Sequence, residues 1–343
     1  MARYWVAGAT GFLGSALVSQ LIEHGHSVVA ASSTGGSTSG MTAARCDVLD
    51  ESAVRASAEG CDGAFLAFGK VSRDPKSAEA LHRLHVLGTA SALRGLRQAG
   101  VVRTVLASTS GTIAVGEDPN HIFKETDPTP TRLISRWPYY RSKLYAERDA
   151  LAEAEAGKLE VVVVNPSLLL GPGDLRASST LDVRKFLERE IFAIPSGGIA
   201  FVDVRDAAAG MLAAMERGRA GERYLLSAKN MTLAAYFERL SRLSGVPTPL
   251  LRLPSGRSFA VGAHRVLERA MGFLGREASV DEVSVEMAQC YWYCDSGKAQ
   301  RELGWKSRDA GLTLSETVAD LVARGAAFPK RSKAFQASAS LGS

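Results

Sequence analysis

Short apolar segments alternate with longer amphipathic segments along the first half of the chain. The apolar segments lie at residues 4–7, 26–31, 63–68, 104–108 and 161–165 and are rich in Val and Ala. Continuous apolar runs of this length are typical of strands buried on both faces, as in a parallel sheet covered by helices. Because helical segments separate the runs, the pattern predicts an α/β fold with a doubly wound parallel sheet.

A glycine-rich turn follows the first predicted strand directly. Gly8, Gly11 and Gly14 are spaced G-x-x-G-x-x-G, and an apolar helix follows over residues 16–22. In a dinucleotide site the first glycine allows a tight turn, the second admits the pyrophosphate, and the third lets helix and strand pack closely. The helix N-terminus favours an anion. The turn therefore predicts NAD(P) binding by Gly8, Thr10, Gly11, Phe12, Leu13 and Gly14.

The ends of later strands supply further candidates for cofactor binding. The second strand ends at Ser32 and Ser33, where an acid would favour NAD and an arginine would favour NADP. Neither is present there, so the choice between NAD and NADP stays open. Asp47 and Val48 are placed to face the adenine, although Asp47 can equally be a helix N-cap or turn acid. Other strand ends add Ala67, Phe68, Asn165, Pro166 and Ser167.

Tyr139 and Lys143 are the candidates for proton chemistry. Residues four apart on a helix lie about 6 Å apart along its axis, so the phenol and the ammonium can share one site. A nearby positive charge stabilises a phenolate and lowers a tyrosine pKa that is ordinarily about 10. An isolated Y-x-x-x-K is common on solvated helices. The pair indicates a catalytic site only because the glycine turn upstream predicts a cofactor site in the same chain.

Composition narrows the class of protein. The 343 residues are 46% hydrophobic and 22% charged, and the basic residues behind the net charge of +5 are spread along the chain, so we expect no nucleic-acid partner. Four cysteines, Cys46, Cys61, Cys290 and Cys294, have no metal spacing, which favours a reduced, cytoplasmic protein without a metal. No apolar run approaches the ~20 residues of a membrane span. Whether the chain forms a homodimer stays open.

The motifs, in this order, resemble the extended short-chain dehydrogenases/reductases, also called the NAD-dependent epimerase/dehydratase superfamily. Within that superfamily the chain is most similar to the dihydroflavonol-reductase-like branch. The resemblance spans about residues 3–310 and implies a Rossmann fold with a smaller substrate-binding lobe. Besides the glycine turn and the Tyr-Lys pair, it rests on motifs at residues 107–112, 165–173, 201–206, 221–224 and 295–305.

The resemblance implies a third catalytic residue. In the family a Ser or Thr after the fifth strand completes a triad with Tyr139 and Lys143. Matching residues 102–112 to the branch gives this role to Thr109, where the family usually has Ser, and leaves Ser110 as the alternative.

Two other positions bear on the same site. His85 stands where the family usually has Asn, so it either supports the nearby backbone or tunes the site electrically. Asp203 and Asp206 are a candidate carboxylate pair, but the resemblance assigns them to a structural turn.

The resemblance also implies a division into domains. Residues 1–172 are expected to form the cofactor domain, to which 201–229 return in part, and residues 173–200 and 230–310 to form the substrate lobe. Separately, the composition of residues 330–343 predicts a disordered tail. The amphipathic segment 258–277 is expected to cover the active-site cleft. Candidate pocket residues are Arg176, Phe186, Phe192, Arg252, Phe259, Met271, Phe273, Tyr291 and Trp292.

The implied function is hydride transfer between a nicotinamide and a ketone or secondary alcohol of a hydrophobic or aromatic molecule, secondary-metabolite or steroid-like. Tyr139 would donate the proton, Thr109 would orient the carbonyl, and Lys143 would lower the Tyr pKa and bind the ribose. One alternative is a sugar-nucleotide epimerase or dehydratase that retains NAD. Another is a non-catalytic NAD(P)-sensing regulator, which the retention of both Tyr139 and Lys143 disfavours.

Overall fold

A computed structural model describes residues 1–33, 40–254, 262 and 282–331. Its strands are β1 (Arg3–Ala7), β2 (Ser27–Ser32), β3 (Met41–Arg45), β4 (Gly63–Leu66), β5 (Arg103–Ala107), β6 (Glu160–Pro166), β7 (Leu168–Leu170), β8 (Ala193–Ile194), β9 (Gly198–Asp203), β10 (Arg223–Leu226), β11 (Lys229–Thr232) and β12 (Leu251–Arg252). Apart from residue 262, the predicted segment 258–277, with Phe259, Met271 and Phe273, lies outside the described residues. The same holds for the predicted tail 330–343 apart from Lys330 and Arg331, where Lys330 N donates to Leu187 O at 2.9 Å.

Helices separate most of these strands. The labelled helices are α1 (Phe12–Glu23), α2 (Glu51–Ala58), α3 (Ala78–His82), α4 (Gly88–Gln98), α5 (Thr131–Ile134), α6 (Pro138–Glu155), α7 (Leu181–Leu187), α8 (Val204–Arg217) and α9 (Leu233–Ser244). Further helices span Glu282–Met287, Gly297–Leu303 and Ala310–Ala323. A π-helical turn, Arg83–Leu87, joins α3 to α4.

The main sheet confirms the predicted fold class. Seven parallel strands lie in the order β10-β6-β5-β4-β1-β2-β3. Each predicted strand is present, with ends shifted by one or two residues; β4 stops at Leu66, so Ala67 and Phe68 fall in the loop after it. The five predicted strands are buried on both faces over most of their length, which explains their continuous apolar sequences, whereas the edge strand β3 has no buried residue.

Helices cover both faces of this sheet. On one face α1 and α8 pack together around residues such as Leu17 and Met211. On the other face α2, α4 and α6 bury residues such as Val54, Leu96 and Ala150. Because α8 and β10 belong to this body, the chain returns to the sheet after leaving it.

The smaller body has a core of its own. Its sheet has the order β11-β9-β7, and α7, α9 and Ala310–Ala323 pack against it around Phe201, Phe237 and Leu314. Phe186, one of the candidate pocket residues, is 2% exposed in this core and stacks on Phe237 at 5.4 Å between ring centroids. The aromatic residues of this segment therefore divide between core and cavity wall.

Candidate active site

A cavity of about 1390 Å³ lies between the main sheet and the smaller body. It runs past the loops that follow β1 and β4, the two neighbouring strands where the strand order reverses. Ligands of open α/β sheets bind at such a switch point, outside the carboxyl ends of the strands.

The glycine turn is built for close approach of backbone to backbone. Gly8 has φ +78°, and a Cβ there would lie 2.7 Å from the backbone of Phe68. A Cβ on Gly14 would collide with the Gly8 carbonyl oxygen. Gly11 is the N-cap of α1, and no side chain caps the first turn, so its N–H groups remain for a ligand. The cradle fits the phosphates of a dinucleotide.

Most predicted cofactor residues line the cavity. They are Gly8, Thr10, Gly11, Phe12, Leu13, Ser32, Ser33, Asp47, Val48, Ala67, Phe68, Lys143, Pro166 and Ser167. Gly14 does not line it, because its part is to pack α1 against the turn. Asp47 Oδ1 accepts a hydrogen bond from Leu49 N at 3.0 Å, so this residue is also a turn acid. Residues 34–39, next to Ser33, lie outside the described part of the chain.

Three candidate catalytic residues meet at one side of the cavity. Thr109 follows β5, while Tyr139 and Lys143 lie on consecutive turns of α6, and all three line the cavity. The buried Lys143 Nζ donates to the carbonyl of Ala107 at 2.6 Å, which ties α6 to the end of β5. Thr109 Oγ1 accepts from Gly111 N at 3.4 Å, which leaves its hydroxyl hydrogen for a ligand. Ser108 and Ser110 line the same wall, so the hydroxyl remains a choice between Thr109 and Ser110.

Burial dominates the electrostatics of these groups. Desolvation, and then the neighbouring Tyr140, raise the pKa of the Tyr139 phenol above its usual value. Burial lowers the pKa of Lys143 to about 8, against the opposing charge of Glu147. The expected lowering of the Tyr139 pKa by Lys143 is therefore not observed in the protein alone. Tyr139 is protonated at neutral pH, as a proton donor must be.

Asn165 supports the site from behind. Its Nδ2 donates to the Thr109 carbonyl at 3.1 Å and to Glu147 Oε2 at 2.8 Å, and Asn165 itself is fully buried without lining the cavity. Glu147 also accepts from Thr112 Oγ1 at 3.0 Å and pairs with Arg223 at 3.3 Å. The Asn165 side chain thus holds the Thr109 loop, and of this strand end only Pro166 and Ser167 line the cavity; cofactor contact by Asn165 stays a prediction.

His85 connects the π-helical turn to the catalytic helix. Its Nε2 accepts from Lys70 N at 3.1 Å, so its Nδ1 carries the hydrogen and donates to Ser142 Oγ at 2.8 Å. Ser142 in turn donates to the Tyr139 carbonyl at 2.8 Å. Burial, and then the charge of Lys143, lower the pKa of His85 to about 3, so this imidazole is neutral. The expected backbone support is observed.

The loop after β4 was missed by sequence reasoning. Residues 69–74 line the cavity, and Arg73 reaches across to Asp182 on α7, with 2.8 Å between Nη2 and Oδ2. The sequence of this loop contains no motif that would have indicated its position at the cavity. Of the candidate pocket residues, Arg176, Phe192 and Trp292 line the cavity. Arg252 instead is exposed beside Glu238, and Tyr291 donates to Ser196 O at 2.9 Å.

Asp203 and Asp206 are structural, as expected. Asp203 accepts from Arg205 N at the start of α8 and pairs with Arg205 and Arg308, and Asp206 accepts from Arg308 N at 2.7 Å. Their hydrogen bonds hold α8 to the segment before Ala310–Ala323.

The cysteines and the helices bear on two other expectations. All four cysteines are free and buried. Within the described ranges, no three His, Cys, Asp or Glu side chains are grouped as metal ligands. No helix in that part of the chain is long and apolar enough to cross a membrane.

Comparison with known proteins identifies the family of the chain. The sequence model of the NAD dependent epimerase/dehydratase family matches residues 4–227, and the chain belongs to that family. A relative from Synechocystis sp., named "Putative dihydroflavonol 4-reductase", is 32% identical over 92% of this chain and 93% of its own. "Sterol demethylase protein B" of Methylococcus capsulatus is 30% identical over 93% of this chain and 98% of its own.

Solved structures share the fold. The crystal structure of gox2253 has a TM-score of 0.80 at 25% identity and covers 96% of this chain and 100% of its own. A dTDP-glucose 4,6-dehydratase from Streptomyces venezuelae with NAD bound has a TM-score of 0.73 at 20% identity, with 95% and 98% covered. The protein is an NAD(P)-dependent oxidoreductase of the extended short-chain dehydrogenase/reductase type.

Proposed function

We propose that the protein is a reductase that uses NAD(P)H to reduce the ketone of a hydrophobic or aromatic molecule, and catalyses the reverse oxidation of the secondary alcohol. The observation that carries the proposal is one cavity lined by the glycine turn, by Thr109, Tyr139 and Lys143, and by an aromatic wall. The residues of the turn would hold the pyrophosphate, and Lys143 has ammonium hydrogens left for the ribose after its bond to Ala107.

The proposed mechanism assigns the proton to Tyr139. When bound, the nicotinamide supplies the hydride to the carbonyl carbon. Tyr139 gives its phenolic proton to the carbonyl oxygen, and Thr109 donates a hydrogen bond to the same oxygen. Lys143 stabilises the phenolate left behind, an effect that matters more in a buried site than in water.

The walls of the cavity support an apolar substrate. Phe237, from the core of the smaller body, and Phe192 line the cavity, and Trp292 lines it beside α6, with its ring 4.9 Å from the ring of Tyr140. Relatives of this chain carry names that point the same way, among them dihydroflavonol 4-reductase of Zea mays and cinnamoyl-CoA reductase 1 of Petunia hybrida. We therefore infer a ring-containing ketone as the substrate class.

A sugar-nucleotide epimerase or dehydratase is the second candidate, because Arg176 and Lys185 also line the cavity and suit a diphosphate. The two functions differ in how they treat the cofactor. A reductase exchanges it in every cycle, whereas an epimerase regenerates it in place.

One experiment separates these candidates. The protein is purified, unfolded, and its released nucleotide is quantified; NADH and NADPH oxidation is then followed with flavanone and steroid ketones. We expect little retained nucleotide and ketone-dependent oxidation. Stoichiometric retained NAD with no net oxidation by any ketone would overturn the proposal in favour of the epimerase.

A further inference from the structure

Glu147 is a buried acid that the proposed mechanism does not use. It lies on α6, one turn after Lys143 and two turns after Tyr139, so the three residues follow one face of the helix. Glu147 is 1% exposed and does not line the cavity. Because a buried charge is unfavourable unless it is paired and hydrogen-bonded, the partners of this carboxylate indicate its role.

Three other elements supply those partners. Glu147 Oε1 accepts from Arg223 Nη1 of β10 at 3.3 Å. Glu147 Oε2 accepts from Asn165 Nδ2, near the end of β6, at 2.8 Å, and lies 3.0 Å from Thr112 Oγ1, in the 3₁₀ turn that follows β5. The carboxylate therefore ties α6 to the segments that follow or end the central strands.

Both donors that face Glu147 Oε2 also face the backbone carbonyl of Thr109. Asn165 Nδ2 lies 3.1 Å from that carbonyl oxygen and Thr112 Oγ1 lies 2.9 Å from it, while Nδ2 also donates to Oγ1 at 3.1 Å. Asn165 and Thr112 are both fully buried. The Thr109 peptide is thus held by two side chains that Glu147 holds in turn, and Thr109 lines the cavity.

Glu147 decides which atom of the Asn165 amide faces Thr109. A backbone carbonyl and a carboxylate paired with arginine only accept hydrogen bonds, so the NH₂ group of Asn165 must face both. This orientation leaves Asn165 Oδ1 buried without a hydrogen-bond partner among the described residues, which is unfavourable. The acceptors on the NH₂ side therefore fix the orientation of the amide.

We propose that Glu147 is a positioning residue for the reaction: through Asn165 and Thr112 it fixes the Thr109 peptide, and with it the direction in which the Thr109 hydroxyl meets the substrate oxygen. The inference rests on the proposed function and deepens it, because it selects Thr109 over Ser110 as the hydroxyl donor. Among the described hydrogen bonds, those of the network reach the carbonyl of Thr109 and none reaches Ser110.

Hydrogen exchange tests the positioning without a substrate. In Glu147→Gln the new side chain donates as well as accepts, so the Asn165 amide is no longer held in one orientation. The amides of residues 112–114 close the turn on the carbonyls of Thr109 and Ser110. We expect these amides to exchange about tenfold faster in Glu147→Gln than in the wild-type protein, measured by mass spectrometry on peptides that cover them.

Asp206→Asn is the matched control. Asp206 is also a buried carboxylate, with Oδ1 2.9 Å from Arg308 Nη2, but it lies outside the cavity lining. A loss of global stability speeds exchange in β1 as well, so exchange at residues 112–114 is compared with exchange in β1. Asp206→Asn should lower the Tm and keep that ratio, whereas Glu147→Gln should raise it.

Turnover then tests whether the position of Thr109 matters for the reaction, with whichever flavanone or steroid ketone the wild-type protein reduces. Glu147→Gln should lower kcat about tenfold to a hundredfold, because a small misplacement of a donor is costly, and should change the Kd of the cofactor little. In a Thr109→Val background, which lacks the positioned hydroxyl, Glu147→Gln should lower kcat no further. In a Ser110→Ala background its full effect should remain.

Thr112→Val and Thr112→Ser repeat both measurements without removing the buried charge. Val lacks the hydroxyl that lies between Thr109 and Glu147, whereas Ser keeps it. We expect Thr112→Val to reproduce the effects of Glu147→Gln and Thr112→Ser to behave like the wild-type protein. The comparison holds even if Glu147→Gln does not fold.

Three results would overturn the proposal. They are unchanged exchange at residues 112–114 in Thr112→Val and in any folded Glu147→Gln, an unchanged kcat in the same variants, and an equal fall of kcat in the wild-type and Thr109→Val backgrounds. If exchange responds as expected but the wild-type protein reduces no ketone, the positioning of Thr109 stands and the proposed reductase activity fails instead.

Discussion

At the scale of single residues, the site combines groups whose protonation is set by burial. Tyr139 keeps its proton because burial raises its pKa, whereas Lys143 titrates near 8 because burial lowers its pKa. Thr109 needs no titration, since a hydroxyl donates a hydrogen bond at any pH near neutrality. Replacing each of the three residues should therefore change turnover, cofactor affinity and pH dependence in a different way.

Replacing Tyr139 by Phe should remove the proton donor and little else. We expect turnover to fall by ~10² to 10³ or more, as when one preorganised donor is lost. The dissociation constant of the cofactor should change little. Tyr145→Phe is the control, because Tyr145 lies on the same helix, is 42% exposed and does not line the cavity. Wild-type turnover in Tyr139→Phe with a true substrate would refute the assignment.

Replacing Lys143 by Met should change the pH dependence. The ammonium is charged below its pKa of about 8 and neutral above it, so wild-type cofactor affinity should fall as the pH rises from 7 to 9. Lys143→Met should bind the cofactor at least tenfold more weakly, lose that pH dependence and move the pH optimum of turnover upward. Isothermal titration at several pH values measures the cofactor affinity of both proteins. The same pH dependence of affinity in Lys143→Met and the wild-type protein would contradict the prediction.

At the scale of elements, the carboxyl ends of the strands and a break in one helix position the site. The chain is helical from Ala78 to Gln98, but a π-helical turn, Arg83–Leu87, interrupts the α-helix. That turn carries His85, which links the loop at Lys70 to Ser142 on α6. Such π turns often occur at functional positions.

His85→Asn should make the free energy of unfolding depend less steeply on pH below neutrality. The folded-state pKa of His85 is lowered to about 3, so only the unfolded chain takes up this proton between about pH 6.5 and 3. Stability from the neutral imidazole is complete above about 6.5 and is lost as the pH falls through that window. Between pH 7 and 4 the free energy of unfolding should decrease by roughly 3 kcal/mol less in the variant than in the wild type.

Urea unfolding at both pH values measures the difference. His82→Asn is the control, because His82 is exposed on the adjoining helix α3. Equal pH slopes for His85→Asn and the wild-type protein would show that this imidazole is not held neutral by the fold.

At the scale of the whole molecule, two bodies with separate cores enclose the cavity. The main sheet and its helices supply the glycine turn and the candidate catalytic residues Thr109, Tyr139 and Lys143, and the smaller body supplies Tyr236 and Phe237. The pair Arg73 and Asp182 bridges the two. A cofactor bound along the strand ends should therefore stabilise the folded protein.

Thermal unfolding with each nucleotide tests this expectation. A ligand at 100 times its Kd adds about 2.7 kcal/mol to the free energy of unfolding, which corresponds to a few degrees in Tm for a chain of this size. We expect NADH or NADPH to give the larger shift, and the larger shift identifies the preferred cofactor. Tyr139→Phe should show the same shift as the wild-type protein. No shift with either nucleotide would contradict the cofactor site.

Much of the fold and of the cofactor site was predictable, because local patterns encode them. Apolar runs of strand length and the glycines of the first turn depend on neighbours in sequence, and the predicted strands are observed. The role of Asn165 was not predictable, because it depends on Glu147 and Thr109 meeting it from other elements. The loop at residues 69–74 was missed for the same reason.

The sequence by itself determined the class of fold, the glycine turn between β1 and α1 and the helical spacing of Tyr139 and Lys143, since each follows from local sequence patterns. Only the tertiary structure decided which side chains share the cavity and how burial sets their pKa values. It brought Arg73 to Asp182, and it left the Tyr236 hydroxyl buried and unsatisfied among the described residues. Those properties arise from contacts between distant segments, which no local pattern encodes.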